Sequence, residues 1–261
     1  MIVAMCTLPN GYDTGPFGKL TVNSTERHCW RAAVSLAASS GFRKAEMFLS
    51  NETTFFLHWR NVAWVMNGTL IKSPSDEQLQ GMREGDYLAL SPVPSKADQW
   101  NSVWGAHPLY IPFHDLPRNA AAALRDLAVH VGTQHRQENK PVFVDSQMRP
   151  AKAAHMTTAM YNVMVHVVGA SRAKLYTWHS GRISLATHLL KCGVPHATIQ
   201  SLLRWQTAES LLAYARLSMS DCGSLLDQAS RASIATVQTS NLPIYERFNF
   251  FLAMHEIGEA S

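Results

Sequence analysis

The segment T-W-H-S-G-R-I-S-L-A-T-H-L-L-K-C-G-V-P-H-A-T-I-Q-S-L-L-R-W-Q-T-A-E-S-L-L-A-Y-A-R, residues 177–216, sets a His, an Arg, a Trp and a Tyr at fixed intervals. His179 and Arg182 are three residues apart, so on a helix they leave the same face one turn apart, as two groups aimed at one ligand must. Trp205 follows Arg182 by 23 residues and Tyr214 follows Trp205 by nine. Gly193-Val-Pro195 divides the segment, with Gly as a helix stop and Pro as a first-turn residue of the next helix.

Working outward, the chain turns helical from Arg118. An alanine-rich helix (A-A-A-A-L-R-D-L-A-V-H-V) breaks at Lys140-Pro141, and a second helix follows over about 152–168. Upstream, Ser24 or Thr25 is placed to cap a helix through about Ser40, where Trp30, Ala33, Val34 and Ala37 fall at helical spacing and Gly41 ends the run. The β-rich run Phe55–Met66, followed by the turn pair Asn67-Gly68, predicts a strand, as do Tyr87–Val93 and Leu109–Phe113. Residues 72–86 read as a polar insertion, and the Trp-Asn-Ser-Val-Trp segment at 100–104 as two core-packing aromatics. Residues 1–24, rich in Gly, Pro, Thr and Asn, read as an irregular leader.

Composition sets bounds. Over 261 residues, 46% hydrophobic and 16% charged side chains are enough for a substantial core. A net charge of +4 is compatible with a polyanionic partner without requiring one. Cys6, Cys29, Cys192 and Cys222 are scattered with no C-x-x-C pair, which suggests neither a zinc site nor a disulfide framework. There is no H-E-x-x-H frame and no G-x-x-x-x-G-K-[ST] loop, so neither a metalloprotease nor a nucleotide triphosphatase is indicated. Neither a signal-peptide pattern nor a membrane-length apolar run is present, and the expectation is a soluble, intracellular protein.

The 177–216 segment resembles the tyrosine recombinase (phage integrase) family, whose catalytic domains carry His-x-x-Arg, then His or Trp, then a nucleophilic Tyr. The match extends to A-T-H-L-L-K-C-G after Arg182 and L-L-R-W before Tyr214. The stretch S-L-A-A-S-S-G-F-R-K-A-E-M-F-L at 35–49 resembles the family's first Arg box, with Arg43 as the partner arginine and Glu46 as its matching acid. The resemblance implies an α+β, mainly α-helical catalytic domain over 25–217 with a small antiparallel sheet on one side. It implies site-specific cutting and rejoining of double-stranded DNA through a 3′-phosphotyrosyl intermediate, with no cofactor, metal ion or ATP.

The residues suit that chemistry. In-line attack on a phosphodiester concentrates negative charge on non-bridging oxygens, and a metal-free site neutralises it with fixed cations, for which the guanidinium fork of arginine is apt. By the resemblance, Arg43, Arg182 and Trp205 hold the phosphate, His179 assists removal of the Tyr214 proton, and Tyr214 attacks. A Lys on a β-hairpin turn protonates the leaving 5′-oxygen. Lys96, between two predicted strands, fits that place ahead of Lys72. Trp205 can donate a hydrogen bond but cannot transfer a proton.

Only about 25 residues precede the first predicted helix, so the family's N-terminal core-binding domain is not expected here. The tail over 218–261 reads as helical, with Phe248, Phe250, Phe251 and Met254 on an apolar face. That face would either dock on a neighbouring protomer of a DNA-bound tetramer or fold back on its own domain. Two rival functions stand beside recombination: a non-catalytic DNA-binding relic, and type IB topoisomerase-like relaxation.

Overall fold

The structure, a computed structural model, describes residues 24–51, 55–95, 98, 100–103, 107–116 and 118–206. Lys96, Tyr214, the leader before Ser24 and the tail over 218–261 lie outside these.

The described chain is α+β, with helices surrounding a core and one small antiparallel sheet. Helix α1 (Ser24–Ser40) runs through the centre and buries Trp30, Ala33, Val34, Leu36 and Ala37. The short helix α2 (Lys44–Met47) follows directly after Gly41. Gly41 has φ +64°, and a Cβ there would lie 2.4 Å from the Leu203 side chain, so only glycine fits both the backbone and the contact. Helix α1 packs on α4 (Ala120–Val131) and on α7 (Trp178–Lys191). Both contacts are close because the facing residues are small. Ala120, Ala121, Ala122 and Ala123 are buried on α4, and a Cβ on Gly181 of α7 would come within 3.1 Å of the Ala37 carbonyl.

The sheet has the order β2-β1-β3-β4, from β1 (Val62–Met66), β2 (Thr69–Ile71), β3 (Tyr87–Leu90) and β4 (Leu109–Pro112). Val62 pairs with Leu90, Trp64 with Ile71 and Leu88 with Ile111, all buried or nearly so, so one face of the sheet covers the core while Tyr87 and Tyr110 face outward.

Four expectations change. The strand predicted over Phe55–Met66 begins only at Val62, since Trp59–Asn61 forms a 3₁₀ turn and His58 makes a single bridge to Pro141. The stretch 72–86 is integrated rather than inserted: α3 (Asp76–Gln80) is capped by Ser75, buries Leu79, and is tied to α4 by the buried Arg136, whose Nη1 donates both to Asp76 at 2.6 Å and to the Ala128 carbonyl of α4 at 2.7 Å. Trp100 is 90% exposed rather than core-packed, presented by a turn in which Asp98 accepts from Ser102 N and Val103 N at 2.9 Å each. Pro195 caps α8 (His196–Leu202) from outside rather than occupying its first turn.

Helix α5 (Ala153–Val168) and the short α6 (Ala170–Ala173) complete the frame that leads into α7. Thr177 caps α7 by accepting from His179 N at 3.2 Å, and Ser180 Oγ accepts in turn from Thr177 N at 3.0 Å. Among the described residues, no helix is long and apolar enough to cross a membrane.

Candidate active site

Four of the residues named from sequence meet where the end of α1, the start of α7 and the turn after α8 converge. Arg43 caps α2. Its N–H donates to Glu46 Oε2 at 2.8 Å and its Nη1 to Oε1 at 3.1 Å, so one buried carboxylate fixes both backbone and side chain. Glu46 is thus paired with both the backbone and the side chain of Arg43.

His179 and Arg182 leave α7 one turn apart and both line the same cleft as Arg43. The cleft encloses about 510 Å³ and is also lined by Lys44, Lys174 and Tyr176. Four cationic side chains thus border it alongside the His179 imidazole, which favours an anionic occupant. The His179 proton affinity is held below its ordinary value of 6.5 by burial first, then by the positive charges of Arg182 and Arg43. The imidazole is therefore neutral at pH 7 and able to accept a proton.

Arg182 differs from the expectation of a fork aimed at the phosphate. It is 2% exposed; Nη1 donates to the Gly41 carbonyl at 2.6 Å and Nη2 to the Leu203 carbonyl. The cause is position: α7 approaches α1 so closely at Gly181 that the Arg182 side chain enters the gap between the end of α1 and the turn after α8. Its charge still borders the cleft, while these two donors tie segments together.

Trp205 is also buried, 5% exposed, in a small apolar cluster with Ala186, Ile199 and Leu203, and its ring lies 5.3 Å from the Arg182 guanidinium. It is not among the residues that line the cleft. Lys96 and Tyr214 lie outside the described residues, and Lys72 follows β2 immediately.

Sequence reasoning missed Arg204. Its Nη2 donates to Glu46 Oε2 at 2.9 Å and its guanidinium lies 4.2 Å from the centre of the Phe42 ring. One local signal was available, a charged residue inside the apolar run L-L-R-W, but its partner lies 158 residues away.

A crystal structure of XerA recombinase superposes on 87% of this chain and 67% of its own length, at 14% identity and a TM-score of 0.44. No protein-family model and no curated protein matches the chain.

Proposed function

We propose that the chain is a site-specific DNA recombinase of the tyrosine type, cutting and rejoining strands of duplex DNA without a metal ion or ATP. The observation that carries this reading is that Arg43 and the His179–Arg182 pair, more than 130 residues apart in sequence, border one cation-lined cleft. Their order and spacing with Trp205 and Tyr214 support it independently.

In the proposed reaction a phosphodiester occupies the cleft, its non-bridging oxygens facing Arg43 within the field of Arg182. The Tyr214 oxygen forms a bond to phosphorus as the bond to the 5′-oxygen breaks. The phenol proton passes to neutral His179, and Lys96 gives a proton to the leaving oxygen. A 3′-phosphotyrosyl enzyme and a free 5′-hydroxyl result, so the bond energy is kept and a second 5′-hydroxyl can reverse the attack. A phenol with an ordinary pKa near 10 needs this cationic surrounding to ionise at neutral pH.

The test is a nicked duplex that loses the short strand bearing the 5′-hydroxyl and so traps the intermediate. Wild type is expected to become covalently attached to DNA, and Tyr214→Phe to leave no adduct; an adduct that persists in Tyr214→Phe overturns the choice of nucleophile. The burial of Arg182 favours a second reading, DNA binding without chemistry, which duplex binding with no adduct in wild type would establish.

The depressed proton affinity of His179 gives a pH prediction. Cleavage is expected to persist below pH 6.5 and its acid limb to fall below that value, because the folded protein resists protonating this imidazole. By the same linkage the unfolded chain takes up the proton first, so His179 makes stability decline as pH falls through 6.5, down to its folded value. The measurement is single-turnover rate against pH. An acid limb at or above 6.5, or one unchanged in His179→Gln, would rule out His179 as the base.

A further inference from the structure

Arg204 is expensive to keep. Its backbone adopts φ +54°, in the left-handed region that non-glycine residues enter only at a cost. Its side chain is 7% exposed, and two of its nitrogens, Nε and Nη1, have no hydrogen-bond partner among the described residues. A buried guanidinium with only part of its donors satisfied is unfavourable compared with an apolar side chain of similar volume. Glycine would relieve the backbone, and leucine the burial. Its backbone N–H donates to the Ser201 carbonyl at 3.0 Å, while its side-chain hydrogen bond and its carbonyl lead to Glu46 and Arg43: Nη2 donates to Glu46, and the carbonyl oxygen accepts from Arg43 Nη2 at 3.5 Å.

Glu46 is the centre of this arrangement. Its Oε2 accepts from Arg204 Nη2 and from the Arg43 backbone, while its Oε1 accepts from Arg43 Nη1. One carboxylate therefore faces two guanidiniums, and the cluster carries an excess positive charge that no described carboxylate offsets. Pinned on one oxygen by Arg204, Glu46 cannot rotate to take Arg43 in a symmetric two-oxygen clasp. Arg43, a third exposed at its side chain, is held in one orientation at the cleft wall with its charge only partly neutralised.

We propose that Arg204 is a positioning residue: through Glu46 and its own carbonyl it fixes the Arg43 guanidinium at the cleft wall, so that Arg43 meets a phosphodiester already oriented. The part of this inference that concerns DNA rests on the recombinase reading above; the orientation of Arg43 does not.

The experiment uses the full chain with Arg204→Gly, Arg204→Lys, Glu46→Gln and the Arg204→Gly/Glu46→Gln double variant. Arg204→Gly suits the backbone, so it isolates the side chain from the strain. The first readout is the ¹⁵N resonance of the Arg43 side-chain Nε–H. In wild type it is expected as a resolved line shifted from those of exposed arginines; in Arg204→Gly it should collapse into them, and Arg204→Lys should restore it in part. An unchanged Arg43 resonance in Arg204→Gly overturns the inference whatever the enzyme does. The second readout is the adduct rate on the nicked duplex at saturating DNA. Arg204→Gly and Glu46→Gln are each expected to slow it about tenfold, and the double variant no further than the slower single one, because the two act through one contact. Multiplying effects, or a wild-type rate in Arg204→Gly, would also overturn it. Should wild type form no adduct, the recombinase reading fails while the Arg43 resonance still decides whether Arg204 positions that side chain.

Discussion

Arg182→Ala is expected to slow strand cleavage a hundredfold or more and to lower thermal stability at the same time. Loss of one preorganised cation or donor facing developing negative charge typically costs that much in rate. The stability loss follows from the contacts. The Gly41 and Leu203 carbonyls each lose a charged donor in a space closed to water, and an unsatisfied buried carbonyl costs about 1–3 kcal/mol. The void left by the side chain adds to this. For a domain of this size each kcal/mol lowers Tm by roughly 2–4 °C. Arg182→Lys separates the two effects, because an ammonium keeps the charge yet cannot span two carbonyls with a planar fork. It should recover part of the rate and less of the stability. Single-turnover cleavage and thermal unfolding of the same preparations check both. Cleavage within tenfold of wild type in Arg182→Ala would remove Arg182 from the reaction.

That dual character explains how much of the site was legible. His179 and Arg182 were readable as a pair because both their spacing and their shared cleft follow from one helix, a purely local property. Arg43 and Glu46 were readable for the same reason, three residues apart across a helix start. What a spacing rule cannot supply is depth. That Arg182 is the buried member and Arg43 the more accessible one depends on how closely α7 approaches α1 at Gly181, a contact between positions over 140 residues apart. Arg204 was invisible for the stronger reason that its local sequence signals only an interruption of an apolar run, while its meaning lies in Glu46.

The fold divides in the same way. Helix α1 is readable from a helical apolar period and a terminal glycine, both local features, while Ser24 and Thr25, expected to cap it, lie within its first turn. The run Phe55–Asn61 reads as strand because its aromatic residues favour extended backbone whether or not that backbone joins a sheet. Here its backbone groups go to isolated partners, Leu57 N to the Glu46 carbonyl and Trp59 N to the Lys140 carbonyl, rather than to a ladder. The α3 helix carried a readable signal, Ser75 followed three residues later by Gln78, which the surrounding polar composition concealed.

Trp178→Ala is expected to be the most damaging substitution outside the charged cluster, at about 3–5 kcal/mol for loss of a buried tryptophan. The indole is 6% exposed. It meets Trp30 of α1 edge-on at 5.6 Å and Phe48, just after α2, at 5.1 Å, and its Nε1 donates to the Met156 carbonyl of α5 at 3.0 Å. One side chain thus joins the three segments against which the first turn of α7 is set, and the next residue is His179. Trp178→Phe should retain most of the packing but strand the Met156 carbonyl, at about 1–3 kcal/mol. Denaturant unfolding with unchanged m-values would report these losses. If the indole, one residue before His179, holds that side chain in place, Trp178→Phe slows cleavage at saturating DNA in conditions where the protein is fully folded. A Trp178→Phe enzyme that is destabilised yet cleaves at the wild-type rate would show that Thr177 and Ser180, which cap α7 from its other side, are sufficient to place His179.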